Sequence, residues 1–171
     1  MSVGIDELAR TLGQLRWAEL RWFETLGAWM RTAPESEARI CLAVSCQRRA
    51  AHAGLLAERL PAYLDLSGCA SIDGDDVTPE GVTIAGADAG DLLHAAAGDR
   101  TVERLRAFYG LGLVRLVAEY GILLAATDAR TDGPTHRTLS MLLADDAAEL
   151  AEGDALVRRL DGPGDGGVSG G

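Results

Sequence analysis

The chain contains no lysine; all 16 of its basic residues are arginine, set against 26 aspartates and glutamates for a formal net charge of -10. That balance, with an isoelectric point near 4.7, excludes sequence-independent binding to nucleic acid, which depends on neutralising phosphates. With abundant alanine and glycine, an all-arginine basic set is a compositional mark of a GC-rich genome. Cysteine is scarce. Cys41, Cys46 and Cys69 are odd in number, and two of them fall on one predicted helix, so a disulfide framework is not expected and a reducing cytoplasm is. A thiolate metal site would need closer spacing and more ligands. No uncharged apolar run reaches the roughly 18 residues of a membrane span, and residues 1–11 lack the basic and apolar regions of a secretory leader. No membrane segment is expected.

What is present is a hydrophobic content of 47% and a mean hydropathy of +0.05, spread over 171 residues, enough for one domain with a sizeable core. The patterning is helical. Alternating steps of four and three from Thr135 give Leu139, Leu142, Asp146, Glu149, Gly153, Leu156 and Leu160, an inward stripe of a bundle helix. Two carboxylates sit in the middle of that stripe. Burying them unpaired costs several kcal/mol each, roughly, so protons, cationic side chains or a metal must neutralise them.

The same pattern recurs along the chain. Residues 5–31 form a first helix with the stripe Ile5, Leu8, Leu12, Leu15, Glu19, Trp22, Leu26 and Trp29, in which Glu19 is the one charge. A local pairing of Glu19 with Arg16 or Arg21 is the plainer alternative. After a turn at 33–36 a second helix runs to Leu60. Ile40, Val44, Ala51 and Leu55 mark its apolar edge; Cys41, Ser45, Arg48 and His52 mark the adjacent edge, with Arg49 three residues before His52. Residues 62–100 are rich in Gly, Asp, Ser and Thr and read as a long crossover, with one short helix near Asp88 to Ala97. The acidic stretch 71–76 lacks the spacing and terminal glutamate of a calcium loop. A third helix over 101–127 is apolar almost all round. Its stripe is Val102, Leu105, Tyr109, Gly112, Leu116, Glu119 and Leu123, and Arg115 with Glu119 makes an alternative pair at i, i+4. Asp132-Gly133-Pro134 turns into the fourth helix over 134–160, and 161–171 is a Gly-rich tail expected to be disordered.

Two short connections flanking a long crossover define an all-α, ferritin-like bundle topology over residues 1–160. Glu19, then His52 preceded at i-3 by position 49, then Glu119, then Asp146 with Glu149 fall at matching heights. In this respect the chain resembles the ferritin-like di-iron carboxylate superfamily, whose pattern is Glu and then Glu-x-x-His in each half. Two positions depart from it: Arg49 stands where the second helix should carry a glutamate, and Glu149 where the fourth should carry a histidine. A carboxylate in place of histidine still ligates a hard cation, whereas arginine stays protonated and cannot.

The resemblance implies a metal centre of iron or manganese with Glu19, His52, Glu119, Asp146 and Glu149 as ligands. Arg49, Tyr109 and Tyr120 would then be charge-balancing or substrate-lining groups. It further implies a non-haem di-metal oxidoreductase, of the oxidase or hydroxylase kind, acting on a small organic substrate. The alternative is a metal-free bundle that serves as a scaffold or partner protein, in which Arg49 points inward and replaces the metal charge. Trp17, Trp22, Trp29 and Phe23 spread round the first helix. At least one aromatic must therefore lie away from the core, and a homodimer is expected.

Overall fold

The computed structural model describes residues 4–60, 83–84, 87–88, 98 and 100–162. Four long helices make up nearly all of them. Helix α1 spans Ile5–Thr32 and α2 spans Ser36–Ala57. Helix α3 spans Thr101–Ala126, with a single π-helical turn, Phe108–Gly112, between two α-helical stretches. Helix α4 spans Gly133–Asp161. The expected ends hold to within three residues. The short strands Thr83–Ile84 (β1) and Ala87–Asp88 (β2) pair antiparallel, where the sequence suggested no strand. The acidic stretch 71–76, most of the Asp88–Ala97 segment, Cys69 and residues 163–171 lie outside the described residues.

Local chemistry sets the helix starts. Asp6 and Glu7 occupy the first turn of α1, where the helix dipole favours negative charge. Asp132 caps α4 by accepting from the Thr135 amide at 3.2 Å, with Pro134 in the first turn. Pairings along the helices fix their directions. Glu19 meets Arg49 and the Phe23 carbonyl accepts from Cys46, so α1 and α2 are antiparallel. Arg106 pairs with Asp161 near one end of α3 and α4, while Gly153 packs on Tyr109 further in, so this pair is antiparallel too. Arg159 with Glu37 and Arg48 with Glu149 set α4 antiparallel to α2. Thr32 with Arg104 and Glu19 with Tyr120 set α1 antiparallel to α3. Helices α2 and α3 therefore run the same way, and the ends their connection joins lie at opposite ends of the bundle.

The stripes of α1 and α4 are buried as expected, except that Ile5 is 56% exposed and Leu8 and Leu160 are half-buried. Helix α2 departs from its expected face. Ile40 and Val44 are exposed, and the buried row is Ala38, Leu42, Ser45, Arg49, His52 and Leu56. Those residues repeat in unbroken steps of four and three, but three of the six are polar, so hydrophobicity alone points to the wrong edge. In α3 the core takes Phe108, Leu113 and Tyr120 beside the expected Leu105, Tyr109, Leu116 and Leu123, while Glu119 is only half-buried.

Close approach is bought by glycine at two crossings. A Cβ on Gly112 would lie 2.2 Å from the Trp22 ring, and one on Gly153 would lie 2.2 Å from the Tyr109 ring. Trp22, Trp29, Phe108 and Tyr109 form a chain of ring contacts through this region, with centroids 4.8 to 6.2 Å apart. All three tryptophans are buried in the monomer, and the aromatic of α1 that lies away from the core is Phe23. Helix α3 also bears on the membrane reading. Arg115 and Glu119 break its uncharged run but leave a mean hydropathy of 1.5, so by length and composition it is apolar enough to cross a membrane. A core helix passes the same test, and α3 carries ten core residues, from Thr101 to Leu123.

Candidate functional site

At mid-bundle four polar residues are shut away from solvent: Glu19 from α1, Arg49 and His52 from α2, and Asp146 from α4. Glu149, one turn along α4, is 2% exposed. Arg49 stands at the centre. Its Nη1 donates to Glu19 Oε1 at 3.1 Å and to Asp146 Oδ2 at 3.2 Å. Its Nη2 donates to Asp146 Oδ1 and, at 2.8 Å, to Glu149 Oε2. One guanidinium thus bridges three carboxylates on two other helices, which is the planar fork geometry that arginine alone supplies. Burial opposes the Arg49 charge, but Glu19, Asp146 and Glu149 outweigh it and hold the guanidinium above its ordinary pKa.

Arg48 lies 2.9 Å from Glu149 Oε2 and brings a second positive charge from the half-exposed side of α2. Tyr120 donates its hydroxyl to Glu19 Oε1; burial first, then the Glu19 charge, keeps that phenol protonated well above its usual range. Burial likewise raises the pKa of Asp146 despite the lowering effect of Arg49. Around Tyr109 a second small network forms. Its hydroxyl shares hydrogen bonds with Ser45 Oγ at 2.8 Å and Cys41 Sγ at 3.0 Å.

The histidine is the odd member. His52 Nδ1 stands 3.5 Å from Glu19 Oε1 and 3.6 Å from Asp146 Oδ1, and Nε2 stands 3.6 Å from Asp145 Oδ2. These are ion-pair separations, too long for hydrogen bonds, and among the described residues neither ring nitrogen has a hydrogen-bond partner; nor has Glu19 Oε2. One ligand atom each from Glu19, His52 and Asp146 lies within 4.8 Å of the others, so this group could hold a metal ion. Orphaned ring nitrogens and a free carboxylate oxygen fit a single ion there. A second ion fits poorly, since both Asp146 oxygens and Glu149 Oε2 are engaged by Arg49, leaving only Glu149 Oε1 to face it.

Of the expected ligands, the structure brings together Glu19, His52, Asp146 and Glu149. Glu119 is half-buried and stands outside the convergent group of three; from α3 it is Tyr120 that reaches Glu19. Tyr109 is buried, with its hydroxyl bonded to Ser45 and Cys41. Sequence reasoning missed Arg48 as a site residue. The polar edge Cys41, Ser45, Arg48 and His52 was its available signal, because that edge faces α4. No protein-family model matches this chain, and no curated protein or solved structure matches it.

Proposed function

We propose that this chain is a ferritin-like four-helix bundle in which arginine has taken over the charge balance of a metal centre, and that it acts by binding rather than by oxidation chemistry. The ferritin-like assignment is supported by the shared direction of α2 and α3 and by carboxylates contributed at one height from α1 and α4. The observation that carries the functional reading is Arg49, whose two terminal nitrogens reach all three buried carboxylates. With Arg48 it brings two positive charges to three negative ones, and a proton on Asp146, whose pKa burial raises, would complete neutrality. Such a network is costly to leave incomplete and needs no ion to close it.

The test is metal content. Protein purified from cultures supplemented with iron and manganese, then dialysed, should carry well under one ion per chain by mass spectrometry. Retention of a full equivalent would overturn the reading.

A second reading is favoured by the orphaned nitrogens of His52. In it Glu19, His52 and Asp146 hold one iron or manganese ion, Arg49 fixes the carboxylates, and Tyr120 orients Glu19. Such an ion, when bound at an oxygen-rich site, supplies dioxygen activation. A small organic substrate would then enter between α2 and α4. That reading requires one equivalent of metal, lost in His52→Ala and retained in Glu149→Gln. A homodimer is compatible with either reading, with Phe23, 39% exposed, as the aromatic on α1 left to contact a partner.

A further inference from the structure

A cleft of about 240 Å³ opens between α2 and α4, one helical turn from the buried arginine. Its walls include Ile40, Val44 and Leu156, and Glu149 lines it beside Tyr109. Ile40 and Val44 are 67% and 47% exposed, an outlay of aliphatic surface that the bundle itself does not use. The volume suits a ligand smaller than a drug-sized molecule.

The polar groups of the cleft are unevenly satisfied. Arg159 Nε donates to Glu37 Oε1 at 3.0 Å, closing one ion pair at the rim. Arg48 pairs with Glu149. Glu152, exposed and three residues beyond Glu149 on the same face of α4, makes no ion pair among the described residues. Glu149 is 98% shielded, yet only its Oε2 is engaged; Oε1 is a buried acceptor with no partner among the described residues. Tyr109 and Cys41 add no charge, since burial holds both protonated above their ordinary ranges. The cleft therefore offers the exposed carboxylate of Glu152, a second acceptor on Glu149 whose Oε1 lies just behind its wall, a neutral hydroxyl and an aliphatic wall. An anion would meet repulsion there, and Arg48 is already met by Glu149.

We propose that this cleft binds a small aliphatic amine as its ammonium ion, held by Glu149 and Glu152 with the alkyl chain against Ile40, Val44 and Leu156. The inference rests on the arginine-balanced core, because an added divalent ion would cancel the negative excess that attracts the ligand.

Calorimetry on the full chain, stripped of metal by chelator, tests it with three probes of equal chain length: hexylamine, hexanoate and hexanol, near neutral pH. Hexylammonium should bind and the other two should not. Glu152→Gln, an exposed change that leaves the fold intact, should weaken hexylammonium by about threefold to fivefold. Val44→Ser should weaken it by a similar factor through lost aliphatic contact. Equal binding of hexanoate or hexanol, unchanged affinity in Glu152→Gln, or no binding of any probe would overturn the proposal. Metal content of the same preparation before stripping is read separately. A tightly held ion counts against the arginine-balanced core, whereas a stripped protein that ignores hexylamine counts against the cleft.

Discussion

Arg49 grips Asp146 at both ends: Nη1 donates to Oδ2 at 3.2 Å while Nη2 donates to Oδ1. The two residues come from α2 and α4 and both are fully buried. This two-pronged contact spans the bundle and leaves each nitrogen a second carboxylate to reach, Glu19 on one side and Glu149 on the other. It binds α1, α2 and α4 into one electrostatic unit.

Removing the guanidinium should therefore be severe. Arg49→Ala strands three carboxylates in the core and should destabilise the fold by about 3–5 kcal/mol, read from urea melts. Arg49→Lys should recover only part of that loss, because an ammonium cannot make two parallel bonds to one carboxylate. A loss in Arg49→Ala of under about 1 kcal/mol, the level of a surface ion pair, would show that Arg49 is not the keystone of the core.

Tyr120→Phe deletes the hydroxyl that donates to Glu19. Leaving a buried carboxylate short of one donor should cost about 1–3 kcal/mol in the same melts. The comparison that tests the register of α3 is Glu119→Gln at the neighbouring, half-buried position. A larger loss there than in Tyr120→Phe would put the core seam at 119 and refute the one described above.

That contrast shows where the sequence was legible and where it was not. From Leu116, steps of three then four lead to Glu119 and Leu123, while four then three lead to Tyr120 and Leu123. Both rows satisfy a bundle helix, and only the facing carboxylate of Glu19 separates them. Helices α1 and α4 were readable because leucines flank their acidic positions on both sides and fix the row. Helix α2 was not, since Ser45, Arg49 and His52 fill core positions that hydrophobicity assigns to the surface. Their partners come from other helices, and a partner across the bundle leaves no trace in local periodicity. The inward Arg49 was nonetheless legible as one of two outcomes, because three carboxylates on neighbouring stripes demand a cation.

Glycine supplies a steric test of the helix crossings. Gly153→Ala would drive a methyl group into the Tyr109 ring, and Gly112→Ala would drive one into Trp22. Overpacking costs about 1–3 kcal/mol, which outweighs the gain of up to about 1 kcal/mol in helix propensity. Gly54→Ala is the control: it is helical and exposed, with nothing within 4 Å of the added carbon. That substitution should stabilise by about 0.5–1 kcal/mol. Stabilisation by all three would mean that α3 does not approach α1 and α4 as closely as the ring contacts require.

The network of Tyr109, Ser45 and Cys41 predicts a loss of stability in alkali. Burial raises the pKa of the Cys41 thiol, the Tyr109 bond only partly offsetting it, and burial raises the Tyr109 phenol as well. For an acid whose folded pKa is raised, the unfolded chain gives up its proton first. The associated stability is fully present below the unfolded values, about 8.5 for a thiol and 10 for a phenol. It is lost as the pH rises from there toward the folded pKa. Urea melts should thus be level in this respect from neutral pH to about 8 and fall above it. Tyr109→Phe should be less stable at neutral pH by about 1–2 kcal/mol, for want of the bonds to Ser45 and Cys41, and should fall less steeply in alkali. In a chain where serine replaces Cys46 and Cys69, Cys41 should react with iodoacetamide more slowly at pH about 8 than an unburied thiol, because less of it is thiolate. Parallel alkaline profiles for the parent and Tyr109→Phe, or a Cys41 as reactive as a free thiol, would mean that this pair stands open to water.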